Sequence, residues 1–140
     1  MRRRAVVVDT NVVAYYLLGT PSFVASARAF WQRLKVEAIA PALWEAEIAN
    51  VLWMSHRSGV LTPPEVQDGL LRAAALGVRS VDMRGLWQGA LTRACLNGVA
   101  VYDALFVELA VREKTRLVTC DRRLLDVFPE WTCRPAEWVH

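Results

Sequence analysis

Asp9, Glu47, Asp103 and Asp121 are carboxylates set where an ordinary soluble fold would place an apolar side chain or a bare cap. Asp9 ends the run Ala-Val-Val-Val and precedes Thr10 and Asn11. Glu47 lies inside a helical stretch, Asp103 opens Asp-Ala-Leu-Phe-Val-Glu-Leu-Ala, and Asp121 closes Arg-Leu-Val-Thr-Cys. Carboxylates brought within a few ångströms repel and raise one another's pKa, and a hard divalent cation that prefers oxygen ligands relieves this. The expected chemistry is therefore that of an acidic metal site. Such a site can generate hydroxide near neutral pH and neutralise charge on a phosphodiester transition state. Histidine is poorly supplied for the alternatives. Only His56 and the terminal His140 exist, so a two-histidine nuclease or a serine-histidine-acid triad has little to work with, and His56 is placed on the polar side of its helix.

These acids must be positioned by elements that can be read from pattern. Residues 5–8 form a short apolar run expected to be a buried strand. A helix is expected over 11–18, stopped by Gly19 and Pro21, and another from Ser22, as its cap, to about residue 36. A second strand over 37–40 is followed by a helix that Pro41 begins and Gly59 ends. Thr62-Pro-Pro-Glu65 has the cap, the early proline and the acid of a helix start, with Gly77 as the stop. A third strand over 78–81, helices over 84–96 and 102–114, a fourth strand over 117–120, a last short helix over 121–128 and a weak edge strand around 131–133 complete the reading. Strands separated by helices argue for a parallel sheet covered on both faces. In such a sheet, ligands bind beyond the carboxyl ends of the strands where strand order reverses, and Asp9 and Asp121 both stand just past a strand end. On a helical wheel Glu47 falls between Leu43, Met54 and Val51 in the apolar arc, while Glu45 points elsewhere; Asp103 falls between Ala110 and Val107.

Each residue also has a plain structural explanation. Asp9, Asp103 and Asp121 could each cap the helix that follows, since aspartate is a preferred N-cap. Glu47 could pair with a buried arginine. Thr10, Asn11 and Thr119 add neutral hydrogen-bonding groups beside the acids, as support for metal ligands requires, although Thr119 reads equally well as a strand residue with a satisfied hydroxyl. It is the joint pattern that points to a site.

At 140 residues and 15.7 kDa, one domain over 1–140 is expected, large enough for a layered core. The apolar share of 54% and mean hydropathy of +0.21 are high, so an oligomer or hetero-complex is expected to cover part of the surface. The net charge of +3 is carried almost entirely by arginine, with lysine only at Lys35 and Lys114. Arginine suits phosphate, yet arginine in place of lysine equally reflects base composition, and +3 is too small to establish nucleic-acid binding. Cys95, Cys120 and Cys133 are odd in number and lack paired ligand spacing, which fits a reducing compartment and argues against disulfides or zinc. The basic start Met1-Arg2-Arg3-Arg4 leads into too short an apolar run for export, and Gly19-Thr20-Pro21-Ser22 breaks the uncharged stretch that follows. A cytoplasmic protein without a membrane span is expected. Six tryptophans, at 31, 44, 53, 87, 131 and 138, are expected mostly in the core, with some left for an interface.

Four segments in order carry a resemblance: Val-Val-Val-Asp9-Thr10-Asn11, Pro41-Ala-Leu-Trp-Glu-Ala-Glu47-Ile-Ala-Asn50-Val-Leu, Tyr102-Asp103-Ala-Leu-Phe-Val-Glu-Leu-Ala110 and Leu117-Val-Thr119-Cys-Asp121. Together, from about Val6 to Asp121, they resemble the PIN-domain family, and within it the VapC-type toxins of toxin–antitoxin pairs. The resemblance implies an α/β/α sandwich of three layers around a mainly parallel sheet. It also implies an Mg²⁺- or Mn²⁺-dependent endoribonuclease in which Asp9, Glu47, Asp103 and Asp121 hold the metal and act in catalysis. Thr10, Asn11 and Thr119 match the supporting polar positions, and Cys120 stands where relatives often have a small residue. An RNA substrate, a cognate antitoxin and a homodimer follow from the same resemblance. Residues 59–81 and the tail after Phe128 match loosely. Two alternatives stay open: a catalytically silent scaffold that binds RNA or a partner, against which the intact acid set argues, and a haloacid-dehalogenase-like phosphatase. The start Asp9-Thr-Asn resembles the latter, but Asn11 replaces its second acid and no obvious catalytic lysine follows.

Overall fold

In the computed structural model, residues 4–139 are described; Met1 to Arg3 of the basic start and the terminal His140 lie outside them. Five strands form one sheet: β1 (Ala5–Val8), β2 (Glu37–Pro41), β3 (Arg79–Val81), β4 (Leu117–Val118) and β5 (Thr132–Cys133). Their order is β3-β2-β1-β4-β5, and every pairing is parallel. Seven helices connect them: α1 (Thr10–Leu18), α2 (Val24–Arg33), α3 (Leu43–Arg57), α4 (Pro63–Ala75), α5 (Trp87–Asn97), α6 (Val101–Arg112) and α7 (Arg122–Val127). Right-handed crossovers put α1 to α4 on one face, because those connections step outward from β1 to β3. The return from β3 to β4 reverses direction and carries α5 and α6 to the other face. There α6 packs on β1, β2 and β4 beneath α5, and its residues from Ala104 to Ala110 are all buried. The three-layer α/β/α reading is borne out.

The central strands are continuous apolar runs because both of their faces are covered. Val6, Val7, Val8, Ile39, Leu117 and Val118 are wholly or almost wholly buried and join Phe30, Phe106 and Leu109 in the core. The edge strand β5 exists, aligned with β4 at Leu117↔Thr132 and Val118↔Cys133. The capping box is also formed: Thr62 Oγ1 accepts from Glu65 N–H at 3.4 Å, and Thr62 N–H donates to Glu65 Oε1 at 2.9 Å.

Several boundaries moved, among them α2, which ends at Arg33, and α6, which ends at Arg112, and four shifts have a visible cause. Ser22 does not cap α2; it takes φ 74° in the turn and the helix begins at Val24. Pro41 ends β2 instead of opening α3, since it pairs with Val81 and the next residue, Ala42, donates N–H to Val81 O at 2.8 Å. Before α5, Arg84 N–H is drawn to Asp82 Oδ1 at 2.9 Å in a side-chain turn, which delays the helix to Trp87. β4 ends at Val118, two residues earlier than expected, so that Thr119 is free to turn its hydroxyl to the acids.

Candidate active site

The strand order reverses between β1 and β4, and that junction is where the acids collect. Val8 pairs with Val118, Asp9 N–H donates to Val118 O at 2.9 Å, and so Asp9 and Thr119 emerge side by side. Thr119, wholly buried, donates its hydroxyl to Asp9 Oδ2 at 2.8 Å and accepts from Asn11 Nδ2 at 3.3 Å and from Asp121 N–H at 3.0 Å. Asn11 Oδ1 in turn accepts from Cys120 N–H at 3.1 Å. One threonine and one asparagine thus tie the end of β1 to the loop after β4. On the other side Thr10 Oγ1 donates to Glu47 Oε1 at 2.7 Å, bringing α3 against the start of α1.

The capping explanations divide. Asp9 occupies the N-cap position of α1, but its carboxylate makes no capping bond. Asp103 is no cap at all: Ala100 holds that position, and Asp103 makes no hydrogen bond or ion pair among the described residues. Asp121 does cap α7, its Oδ1 accepting from Arg123 N–H at 2.9 Å and Leu124 N–H at 3.3 Å. Glu47 has no arginine partner among the described residues, and its place on the wheel is corrected. α3 buries Trp44, Ile48 and Leu52, and Glu47 sits on the flank of that stripe beside half-buried Leu43 and Val51, while Met54 is exposed. Hydrophobicity alone misassigned Met54 and shifted the arc. Glu45 points elsewhere, accepting from Ser80 Oγ.

Burial raises the Asp9 carboxyl to about 7; the Thr119 hydroxyl opposes this, and the charges of Glu47 and Asp103 add to it. Burial also lifts Glu47 against the Thr10 hydrogen bond, with Asp103 contributing. Asp103 is raised by burial and by Asp121, with Arg123 opposing. The four acids therefore act on one another as a chain, Glu47 and Asp9 to Asp103 and on to Asp121. Among the described residues none of them is in an ion pair. No three acidic, histidine or cysteine side chains there stand ready in ligating geometry. The donor set nevertheless fits a hard cation: all oxygen, mutually repelling, desolvated at Asp9, Glu47 and Asp103, and opposed only by the charge of Arg123 near Asp103. His56 is exposed, its Nδ1 3.0 Å from Leu61 O, and takes no part.

Two side chains at this site were given no role in the sequence reading. Tyr15, one helical turn beyond Asn11, has its hydroxyl raised by burial and by the nearby Cys120, Asp9 and Asp121. Asn50, one turn beyond Glu47, lines the same groove. The signal for both was helical spacing from the acids' own neighbours, i to i+4 and i to i+3.

An all-parallel α/β/α sheet with unpaired acids at its switch point defines a class of proteins recognisable by fold and site together. A family profile described as the PIN domain matches residues 6–128, and the chain belongs to that family. It is 32% identical over 127 residues to "Ribonuclease VapC3" of Pyrobaculum aerophilum, covering 88% of this chain and 94% of that protein. It is also 32% identical over 124 residues to "Ribonuclease VapC3" of Mycobacterium tuberculosis, covering 89% and 88%. Among solved structures, a toxin-antitoxin complex from Klebsiella pneumoniae superposes with TM-score 0.66 at 13% identity over 95% of this chain and 99% of that one. FitAcB from Neisseria gonorrhoeae gives 0.65 at 16% identity over 95% and 99%. VapBC2 from Rickettsia felis, bound to a promoter DNA fragment, gives 0.64 at 14% over 94% and 98%. These likenesses establish the fold. With the family settled, the phosphatase alternative falls, and Asn11 is seen to be a structural tie in place of a second acid.

Proposed function

We propose that this chain is an endoribonuclease of the VapC type, the toxin of a toxin–antitoxin pair, and that Asp9, Glu47, Asp103 and Asp121 hold Mg²⁺ or Mn²⁺ at its active site. The observation that carries this reading is the approach of four acids from four separate segments at the β1–β4 switch point, none of them in an ion pair among the described residues. Its relatives named Ribonuclease VapC3 support the substrate class. When bound, the divalent ion supplies Lewis-acid polarisation of a phosphoryl oxygen and acidifies a water. Asp9 would hold the ion with a carboxylate oriented by the Thr119 hydroxyl and the Thr10 backbone. Thr10 fixes the rotamer of Glu47, and Thr119 with Asn11 keeps Asp121 at a set distance from Asp9. Asp103 comes from the first turn of α6, held rigid by the buried helix behind it.

The partners follow in the same reading. RNA is the substrate, and a small antitoxin protein is the inhibitor, consistent with solved neighbours that are themselves toxin-antitoxin assemblies. A homodimer is proposed on the exposed apolar side chains, among them Trp87 and Leu91 on α5 and Leu71 on α4. No single helix among the described residues is long and apolar enough to cross a membrane, and we place the protein in the cytoplasm, where its free Cys95, Cys120 and Cys133 suit a reducing environment. The test is RNA cleavage by the purified chain with Mg²⁺ or Mn²⁺. Cleavage is expected to stop in excess chelator and in Asp9→Asn, and persistence in either would overturn the proposal.

A further inference from the structure

A groove leads away from the acids between α1 and α3, and its walls change character along its length. At its head stand Asp9 and the Thr10–Glu47 hydrogen bond. Farther along, α1 contributes Ala14, Tyr15 and Leu18, and α3 contributes Asn50 and Val51. The cavity is about 410 Å³ and open to solvent, within the range of roughly 300–1,000 Å³ usual for small-ligand sites. From Thr10 to Leu18 it runs for about 12 Å at 1.5 Å per residue. Among the described residues no basic side chain lines it, so it is unsuited to a phosphate, whereas its apolar floor, the Asn50 amide and the Tyr15 ring are the groups that receive a heterocycle.

We propose that this groove holds one unpaired nucleobase of the RNA, next to the scissile phosphate, with Asn50 reading its edge and Tyr15 lying against it. The inference rests on the ribonuclease reading and names the form of RNA that site accepts. Sequence-specific RNA recognition targets bases splayed out of single strands, packed on aromatic rings and hydrogen-bonded on their edges. Tyr15 is already set for this role: its ring stacks on Phe23 with centroids 4.3 Å apart and planes 13° apart, so little freedom remains to be lost on binding. Asn50 is exposed, and its Nδ2 contacts only Met54 Sδ at 3.5 Å, a weak acceptor that a base can displace. Its amide offers a donor and an acceptor side by side, the pattern with which asparagine reads adenine in duplexes. A base inside a duplex cannot enter such a groove without leaving its stack, so cleavage is directed to single-stranded segments.

The experiment uses the full chain and has two readouts. In the first, RNA with a randomised single-stranded segment is cut in Mg²⁺ and the products are sequenced. The parent is expected to prefer one base at one position beside the cut, and Asn50→Ala to flatten the preference at that position alone. In the second, a short oligouridine with one central 2-aminopurine is titrated with Asp9→Asn protein. Quenching is expected, and adding Tyr15→Leu should weaken the apparent affinity about ten-fold, as loss of a stacking ring does. Melting curves confirm that the variants fold. If the parent cuts RNA but Asn50→Ala keeps the same base preference, the nucleobase site is overturned and the ribonuclease reading stands. If the parent never cuts, the ribonuclease reading falls and the placement beside a scissile phosphate falls with it, and Tyr15-dependent quenching then reports base binding alone. Variants that lose only a protein partner, with both RNA readouts intact, assign the groove to that partner and overturn the inference.

Discussion

Asp9 carries the largest electrostatic strain in the site, and its sign makes a definite prediction. Burial, with Glu47 and Asp103 adding, holds its folded pKa at about 7 against an ordinary 3.8. Below 3.8 the proton is on in both states and its full contribution to stability is present. As pH rises toward about 7 the unfolded chain releases the proton while the folded one keeps it, and that contribution is lost at up to about 1.4 kcal/mol per pH unit. Metal-free protein should therefore melt lower at pH 7 than at pH 5, and Asp9→Asn should flatten that slope in calorimetry; an identical slope would detach it from Asp9. Divalent metal acts in the opposite sense, because its ligands must be deprotonated, so its stabilisation should grow through the same window. Glu47→Gln tests the cluster separately. Glutamine keeps an acceptor for Thr10, so in chelator the variant should melt no lower than the parent, while its gain from Mg²⁺ or Mn²⁺ should shrink. A site bound at a hundredfold excess over Kd contributes about 2.7 kcal/mol, and losing one ligand must cut into that. Exposed Glu130→Gln is the control. A large drop in chelator with an unaltered metal response would remove Glu47 from the site.

The element that most constrains the site is the α5–α6 hairpin, which delivers Asp103. Its buried seam is polar: Glu108 is salt-bridged to Arg93 at 3.1 Å and to Arg112 at 3.0 Å, and lies 7% exposed between the helices. Gly89 on α5 is what lets that carboxylate fit, since a Cβ there would stand 2.3 Å from Glu108 Oε1. The carboxylate is held from two sides and cannot swing away. Gly89→Ala should thus destabilise the chain by about 1–3 kcal/mol, as overpacking does. Chemical denaturation reads the loss, and a neutral result would mean the hairpin is looser than its contacts indicate. At the start of α4, Thr62→Ala removes one arm of the capping box and should cost about 1 kcal/mol. Lying far along the chain from the acids, it should leave the metal-induced melting shift as it is.

Across the whole molecule, Trp31, Trp44, Trp131 and Trp138 are buried or half-buried, as most of the six were expected to be. Trp53 and Trp87 are 51% and 63% exposed, and they mark two separate apolar faces. On α5, Trp87 and Leu91 lie one turn apart; on α3, Trp53 and Met54 are exposed, as are Val60 in the turn that follows and Leu71 on α4. Exposed apolar groups on that scale mark association surfaces. Sedimentation equilibrium should return twice 15.7 kDa for the isolated chain. Leu91→Glu and Leu71→Glu then assign the face, since only one of them should dissociate the dimer. A monomeric parent would refute self-association and leave both faces to the antitoxin.

Much of this was legible in the chain itself. Continuous valines at 6–8 read as a strand covered on both faces, the Thr62-Pro-Pro-Glu65 cap was complete in four residues, and the four acids stood out by their joint pattern beside apolar runs. These are local signals, decided by neighbours in sequence. Only tertiary structure could decide the rest. That Asp121, besides capping α7, is tied to Asp9 through Thr119 depended on β4 pairing beside β1 across 110 positions of sequence. The side of α3 that Glu47 occupies was misread because a wheel ranks Met54 as core, whereas the sheet and α4 choose Trp44, Ile48 and Leu52. On α6 the wheel put Asp103 on an apolar side between Ala110 and Val107, but every residue from Ala104 to Ala110 is buried, so only the packed fold shows which acids stand near it. Periodicity says which residues share a face; it takes the neighbouring elements to say which face is inside, and what shares it.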